Sequence, residues 1–292
     1  MSNTGLIIAE RSRDIGDFLV GRLIPFRKKR MIGPFIFIDH MGPSVIGPER
    51  YLDVDQHPHI GLATLTYLLE GEVMHADSLG TLQRIAPGSV NLMVAGKGVS
   101  HTERTPKELR NGKTGTVHGY QIWIALPKAM EAMEPEFHHI TKEELPYWED
   151  ATARFTLVAG EGFGRTAPVP TFSPLFMVKI ETGDTSYDLD VSGQLKGEIG
   201  ICIVSGGITA CDTTIEKGAI LVSKVTDVCR ISIAPHTCIL LFGGTPLPEK
   251  RHIYWNFVAT DNAMIEKAKA EWASKTFPMM ADDTSYVPLP DR

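Results

Sequence analysis

Apolar residues along this chain recur in runs of strand length. Between residues 57 and 103 the runs are Leu65 to Leu69, Val73 to Ala76, Leu82 to Ile85 and Val90 to Val94. Turns at Glu70-Gly71-Glu72, Ser78 to Gly80 and Pro87-Gly88 separate them. Runs of four to six residues broken by Gly and Pro predict an antiparallel meander or barrel rather than helices. Upstream, Phe35 and Phe37 alternate with Ile36 and Ile38, so that strand is predicted to be buried on both faces. It is expected to end at Asp39 and His40, before the turn Gly42-Pro43. Downstream, His118 to Pro127 reads as the strand that closes a first barrel.

From Lys128 to Pro174 the rhythm loosens, with Pro135, Pro146, Gly160, Gly162 and Gly164, which suggests a connection holding a few short strands. His138 and His139 lie on it and are expected to be solvated. Residues 175 to 245 return to the strand pattern and match the earlier part at two turns. Leu68 to Val73 aligns with Ile203 to Ile208, and Pro87 to Val90 with Lys217 to Ile220, which points to a duplicated barrel. Counting from these turns places Ser192 and Gln194 where His57 and His59 stand, and Ile231 and Ile233 where His101 and Glu103 stand. That set cannot form a metal cup, so the second barrel is expected to be metal-free. The tail from Asp261 to Lys275 is the one predicted helix, capped by Thr260 or Asp261, with Met264, Ala268 and Trp272 on one face.

The chemistry lies at the ends of the 57 to 103 segment. His57/His59 and His101/Glu103 are both spaced i, i+2, and in a strand such residues project to the same side. If the two strands are neighbours, facing Cβ atoms are roughly 4.5 to 5.5 Å apart. Three imidazoles and a carboxylate then converge on one point, at bond lengths of about 2.0 to 2.2 Å to a divalent metal. Structural zinc closes its shell with Cys and His. This mixed nitrogen and oxygen set leaves positions open and suits Fe(II), Ni(II), Cu(II) or Mn(II), among which ligand type alone does not choose. Glu103 also has a second oxygen with which to accept a substrate proton. His118, Gln121 and Trp123 are candidates to line the cavity, Trp123 equally for core packing. His40 either approaches the metal or is hydrogen-bonded at a strand end. The charged loop from Thr105 to Thr116 is long enough to cover a pocket.

Composition narrows the remaining choices. The 292 residues are 43% hydrophobic and 22% charged, with a net charge of -6 and a pI near 5.9. This argues against direct nucleic-acid binding, which needs clustered Lys and Arg. The one basic run, Arg27 to Arg30, reads as a solvated turn. No stretch of 18 apolar residues exists to span a membrane, and Met1 to Glu10 lacks a signal pattern, so a cytoplasmic location is expected, or a nuclear one in a eukaryote. Cys202, Cys211, Cys229 and Cys238 form no CxxC pair and sit in or beside apolar runs, as reduced buried thiols do. A disulfide among them stays open.

The motifs HPHIG (57 to 61), TYLLEG (66 to 71) and AGKGVSHTE (95 to 103) resemble the pirin family of the cupin superfamily. So do GPFIFIDHMGP (33 to 43), HGYQIWIALP (118 to 127), LLFGGTPL (240 to 247) and WNFV (255 to 258), so the likeness covers nearly the whole chain. It implies an all-β bicupin, two cupin-type antiparallel jelly-roll barrels with one C-terminal helix. The expected parts are a metal-binding barrel over 1 to 135, a connection over 136 to 172, and a metal-free barrel with the helix over 173 to 292. It implies His57, His59, His101 and Glu103 as metal ligands, with Fe(II) the first choice and Ni, Cu, Mn or Zn as alternatives. The activity it implies is that of quercetin 2,3-dioxygenase, with a chelating small molecule and dioxygen as partners. Glu103 is then the candidate catalytic base. It also implies a second role, an iron-binding redox-sensitive regulator acting through a protein partner, and a silent protein with structural metal is a third. Two positions depart from many relatives, Thr102 where Ser is common and Ile60 where a charge is common. Both are expected near the pocket mouth.

Overall fold

The computed structural model describes residues 5–14, 19–48, 50–110, 112–210, 213–223 and 230–291. The chain clusters into two compact units, one of residues 12–20, 38–142 and 248–292, the other of residues 1–11, 21–37 and 143–247. Each is built on a barrel of antiparallel strands, and the structure is mostly β with one C-terminal helix. No helix among the described residues is long and apolar enough to cross a membrane.

In the unit that carries residues 38–142, one sheet has four strands in the order Asp53–His59, Val99–Arg104, Val73–Asp77, Leu82–Ile85. The sheet facing it runs Glu136–Ile140, Val90–Val94, Leu62–Glu70, Gly115–Ala125 and on to Phe35–Ile46. The apolar runs of the sequence become these strands because alternate side chains fill the space between the sheets and the rest pack outside. Gly71 makes the turn into Val73–Asp77 at φ +79°, and a Cβ there would lie 2.2 Å from the Thr116 carbonyl oxygen. Only glycine fits such a turn without strain.

The other unit repeats the plan. Gly206 (φ +70°) and Gly218 (φ +80°) turn the chain at the places matched to Gly71 and Gly88 (φ +83°), so the internal repeat read from the turns is real. Ile231–Ile233 is a strand, as expected of the counterpart to the His101 strand. Its partner, however, is Tyr187–Leu189, with Leu189 opposite Ile231. Ile231 also lies opposite Ala210, which stands from Gly206 as His75, the residue opposite Glu103, stands from Gly71. Ile231 is therefore the counterpart of Glu103 rather than of His101, and Leu189 that of Val54. Leu189, Val191, Ile231 and Ile233 all belong to one buried apolar cluster, and none of these side chains ligates a metal.

The chain ends depart from the expected partition. Leu6–Ala9 pairs with Ala219–Val222 of the C-terminal barrel, while the helix Asn262–Ala273 belongs to the unit of residues 38–142. Asp261 caps this helix by accepting the Ala263 N–H at 2.9 Å. Its buried face is Ile265, Ala268 and Trp272, with Met264 only partly buried, and it packs on Ile60, Phe257 and Phe277. Residues 136 to 172 are not a connection but mostly strand. Glu136–Ile140 is the edge strand beside Val90–Val94, and Ala153–Gly162 pairs along its length with Leu175–Thr182. His138 and His139 are accordingly half-buried, His139 bonded to Asn91 at 2.6 Å. Cys202 and Cys238 are free thiols, with burial pushing Cys238 up to about 12, whereas Cys211 and Cys229 lie outside the described residues.

Beyond the helix, the chain from 278 to 291 runs without regular structure over the outer side of the His57 strand. Gln56, fully buried, is tied to it by every polar group. Its Nε2 donates to the Asp283 and Ser285 carbonyls at 2.9 and 3.2 Å, and its Oε1 accepts the Met280 N–H at 2.8 Å and the Ser100 hydroxyl at 3.0 Å. Arg104 joins the same strap through Asp283 at 2.5 Å and Ser285 at 2.8 Å. Gln56, Ser100 and Arg104 each stand next to a candidate ligand, so the strap holds the backbone from which the ligands project.

Candidate metal centre

The ligand strands are neighbours, as the spacing predicted. Asp53–His59 and Val99–Arg104 run antiparallel with His57 opposite His101 and His59 opposite Val99. The register shifts between His101 and Glu103, so Glu103 faces Val54 on one side and His75 on the other. In an antiparallel pair, stepping from His57 to His59 and from His101 to Glu103 goes in opposite directions. Three rings cluster while the carboxylate lies beyond them. Ring centroids are 4.2 Å apart for His57 and His101, 5.0 Å for His59 and His101, and 5.2 Å for His57 and His59. Potential ligand atoms of these three lie within 4.8 Å of one another, and a second such group joins His101, Glu103 and His75. Among the described residues, no single group at that spacing contains all four expected ligands.

The hydrogen bonds of the three imidazoles fit an ion. His57 donates Nδ1–H to the Asp55 carbonyl at 2.8 Å, leaving the Nε2 lone pair to point inward. Both ring nitrogens of His59 and Nε2 of His101 are buried without a hydrogen bond of normal geometry. Each such atom costs about 1 to 3 kcal/mol if nothing satisfies it. A neutral imidazole carries one lone pair, so a bound divalent cation satisfies one nitrogen of His59 and Nε2 of His101, and the other His59 nitrogen keeps its proton beside the Asn256 backbone. Burial keeps all three rings neutral, the protonation state a ligand needs. It lowers His57 from 6.5 to about 4 and holds His59 and His101 well below the usual histidine range, with the neighbouring rings adding to the effect.

This has a measurable consequence in the metal-free protein. Below pH 6.5 the unfolded chain takes up a proton at residue 57 before the folded one does, so His57 contributes stability above that pH and loses it as pH falls toward 4. The loss from this residue between pH 6.5 and 5 is about 2 kcal/mol, at about 1.36 kcal/mol per pH unit. Urea unfolding at pH 7 and pH 5 is expected to show the drop, and His57→Leu to shrink it. Equal drops in the two proteins would contradict the buried neutral ring.

Glu103 sits under a polar roof from the facing sheet. Its Oε1 accepts from Gln121 Nε2 at 3.1 Å, and the Thr66 hydroxyl lies 3.4 Å away with its one proton directed mainly to Gln121 Oε1 at 2.6 Å, leaving Oε2 as the oxygen for a metal or a proton. Burial raises its carboxyl above the usual range, partly offset by His75 and by the Thr66 and Gln121 bonds. Gln121 thus lines the site, and Trp123 meets His59 edge-on at 5.0 Å while 7% exposed, serving cavity wall and core together. His118 does not line it. Its Nε2 lies 2.9 Å from that of His40, and His40 stacks on Tyr120, on the opposite side of the strand from Gln121 and Trp123. His40 is also not at a strand end, since Phe35–Ile46 continues through it. The residue that the sequence reading missed is His75. It is buried, bonded through Nε2 to Asp77 Oδ2 at 3.0 Å, and its Nδ1 is 3.4 Å from Nδ1 of His101. Burial pushes the Asp77 carboxyl up, yet bonds from His75 and Thr81 hold it below the usual carboxylate range.

Two family patterns match the chain, Pirin over residues 18–124 and the Pirin C-terminal cupin domain over residues 183–278. A pirin-like protein of Caulobacter vibrioides is 38% identical over 98% of this chain and 99% of its own length. The chain belongs to the pirin family. Among solved structures, quercetin 2,3-dioxygenase from Acinetobacter baumannii is similar at TM-score 0.90 and 33% identity, over 99% of this chain and 96% of that one. A bacterial pirin from Escherichia coli solved with nickel(II) shares the fold at TM-score 0.61 and 19% identity, over 83% of this chain and 99% of that one. In this pirin, the two departures noted in the sequence stay away from the pocket. Ile60 is 3% exposed in the cluster with Trp272, and Thr102 is buried and alternates away from His101 and Glu103. The 105 to 116 loop is pinned rather than free at its start. Thr105 Oγ1 accepts the Leu52 N–H at 3.0 Å, and Arg110 pairs with Asp53 and stacks over Tyr51 at 4.9 Å.

Proposed function

We propose that this pirin is a metal-dependent dioxygenase that opens the central ring of a flavonol such as quercetin with release of carbon monoxide. The observation that supports this most is the cluster of His57, His59 and His101, neutral by burial and with buried ring nitrogens that lack a hydrogen bond of normal geometry, next to the Glu103 carboxylate. The likeness to the Acinetobacter baumannii quercetin 2,3-dioxygenase supports the substrate class. His57, His59 and His101 would hold one divalent ion, Fe(II) first among the candidates, with Glu103 as a fourth ligand. When bound, the ion supplies Lewis acidity and redox capacity toward a chelating hydroxy-ketone and dioxygen.

The chain's own residues supply the rest. Glu103, its carboxyl raised by burial, accepts the flavonol hydroxyl proton while Gln121, itself bonded by Thr66, holds Oε1 in place. Trp123 and the buried walls of both sheets exclude water from the rings. The test is metal analysis of protein purified without added metal, followed by oxygen uptake with quercetin. One ion per chain and uptake matched to quercetin consumed are expected. One ion per chain without uptake overturns the catalytic reading and leaves a metal-binding protein.

A further inference from the structure

We propose that Asp77 and His75 are positioning residues that lock His101 in its Nδ1–H tautomer, so that its Nε2 lone pair faces the metal. This rests on the reading of His101 as a ligand and extends it to two residues that no metal contact requires. Asp77 is 4% exposed and anchored first. Its Oδ1 accepts the backbone N–H groups of Leu79 at 2.9 Å and Thr81 at 3.1 Å, which leaves Oδ2 facing His75. A carboxylate only accepts, so His75 Nε2 carries the proton of the 3.0 Å bond. With His75 taken as neutral, the imidazole has one donor and one acceptor nitrogen, and Nδ1 is the acceptor. Phe137, stacked on the ring at 4.7 Å and 28°, holds the plane. The nitrogen facing that acceptor is His101 Nδ1, at 3.4 Å, a long contact whose only bonding arrangement is donation from His101. His101 Nε2, buried and without a partner, is left as the lone pair.

The order of protons is thus set at Asp77 and passed along two rings to the ligand. Residues of this kind behind a metal-bound histidine typically change metal affinity 10- to 100-fold when lost. A competing arrangement uses the same distance differently. His75 Nδ1 and His101 Nδ1 would both bind an ion together with Glu103, the second triad of potential ligands. The tautomers separate the two, because in that case neither Nδ1 carries a proton.

Long-range 1H–15N correlation spectra of the metal-free protein report each tautomer directly. His101 and His57 are expected as Nδ1–H and His75 as Nε2–H, with signals assigned by His→Gln variants. Finding His101 as Nε2–H overturns the proposal. Asp77→Asn provides the second readout. The two backbone N–H groups hold the amide oxygen, so its NH2 faces His75 Nε2 and reverses the proton order along the chain. His101 is expected to switch to Nε2–H, and cobalt(II) affinity, measured by chelator competition, to fall about 10- to 100-fold. A merely structural Asp77 predicts no switch and affinity within twofold of the native protein, which would overturn the proposal as well. Neither readout uses quercetin turnover, so failure of the dioxygenase reading leaves this test intact.

Discussion

His59→Leu is expected to abolish metal binding while making the metal-free protein more stable. Leucine has nearly the volume of histidine and fills the same space against the edge of Trp123. It removes two buried ring nitrogens, neither of which makes a hydrogen bond of normal geometry although the Asn256 backbone lies near the ring. If each contributes even the lower end of the usual penalty, the metal-free variant gains about 1 to 3 kcal/mol, a rise of several degrees in Tm for a chain of this kind. In the presence of metal the order reverses, because the native protein gains binding free energy that the variant cannot. Loss of a residue that merely orients a ligand typically costs 10- to 100-fold, so loss of a ligand is expected to exceed about 100-fold in affinity. Thermal unfolding with and without added metal measures both effects. A histidine kept for packing gives the opposite result, with lower stability in both conditions.

Glu103→Gln separates holding the metal from moving a proton. Glutamine keeps an oxygen to accept from Gln121, the bond now on Oε1, and Thr66 keeps its bond to Gln121, so the roof over the site is preserved. It cannot accept a substrate proton. The glutamine oxygen can still face the ion beside the intact three-imidazole cluster, so metal affinity is expected to fall by less than the roughly 100-fold of a lost ligand. Turnover with quercetin is expected to fall about 100- to 10,000-fold, the usual contribution of a general base. Single-turnover oxygen consumption by metal-loaded native and variant protein checks this. Full activity in the variant would remove the base from the account and leave Glu103 as a ligand only.

Much of this was legible before the structure because it depends on local periodicity. The i, i+2 spacing of His57/His59 and His101/Glu103 needed only the strand alternation to place each pair on one face. The Gly turns at 71, 88, 206 and 218 needed only the φ preference of glycine. What the sequence hid depends on pairing between distant segments. His75 is a lone histidine in the run Val73-Met74-His75-Ala76-Asp77, and only the register that sets it opposite Glu103 brings it to the site. Its spacing from Asp77 was the one available signal, since i, i+2 puts both on the same face. The same limit explains the chain ends. Nothing in Leu6–Ala9 names Ala219–Val222 as its partner, and the stripe of the C-terminal helix shows that it docks without showing on which barrel. The second barrel's register was misjudged by two residues on the Ile231 side, where Ile231 matches Glu103 and not His101, because counting from a turn carries every loop-length difference with it.

The separation of Glu103 from the three rings has the same origin. Ligand spacing alone suggested four equivalent donors, whereas the antiparallel register sends the carboxylate outward along its strand. That displacement supports the proposed role of Glu103 as a base.

The most direct test is an anomalous difference map, recorded at the metal's absorption edge from crystals of the metal-loaded protein. The account predicts one peak per chain, about 2.0 to 2.2 Å from a ring nitrogen of each of His57, His59 and His101. A peak bonded to His75 and His101 but not to His57 and His59, or no peak in that barrel, would contradict it.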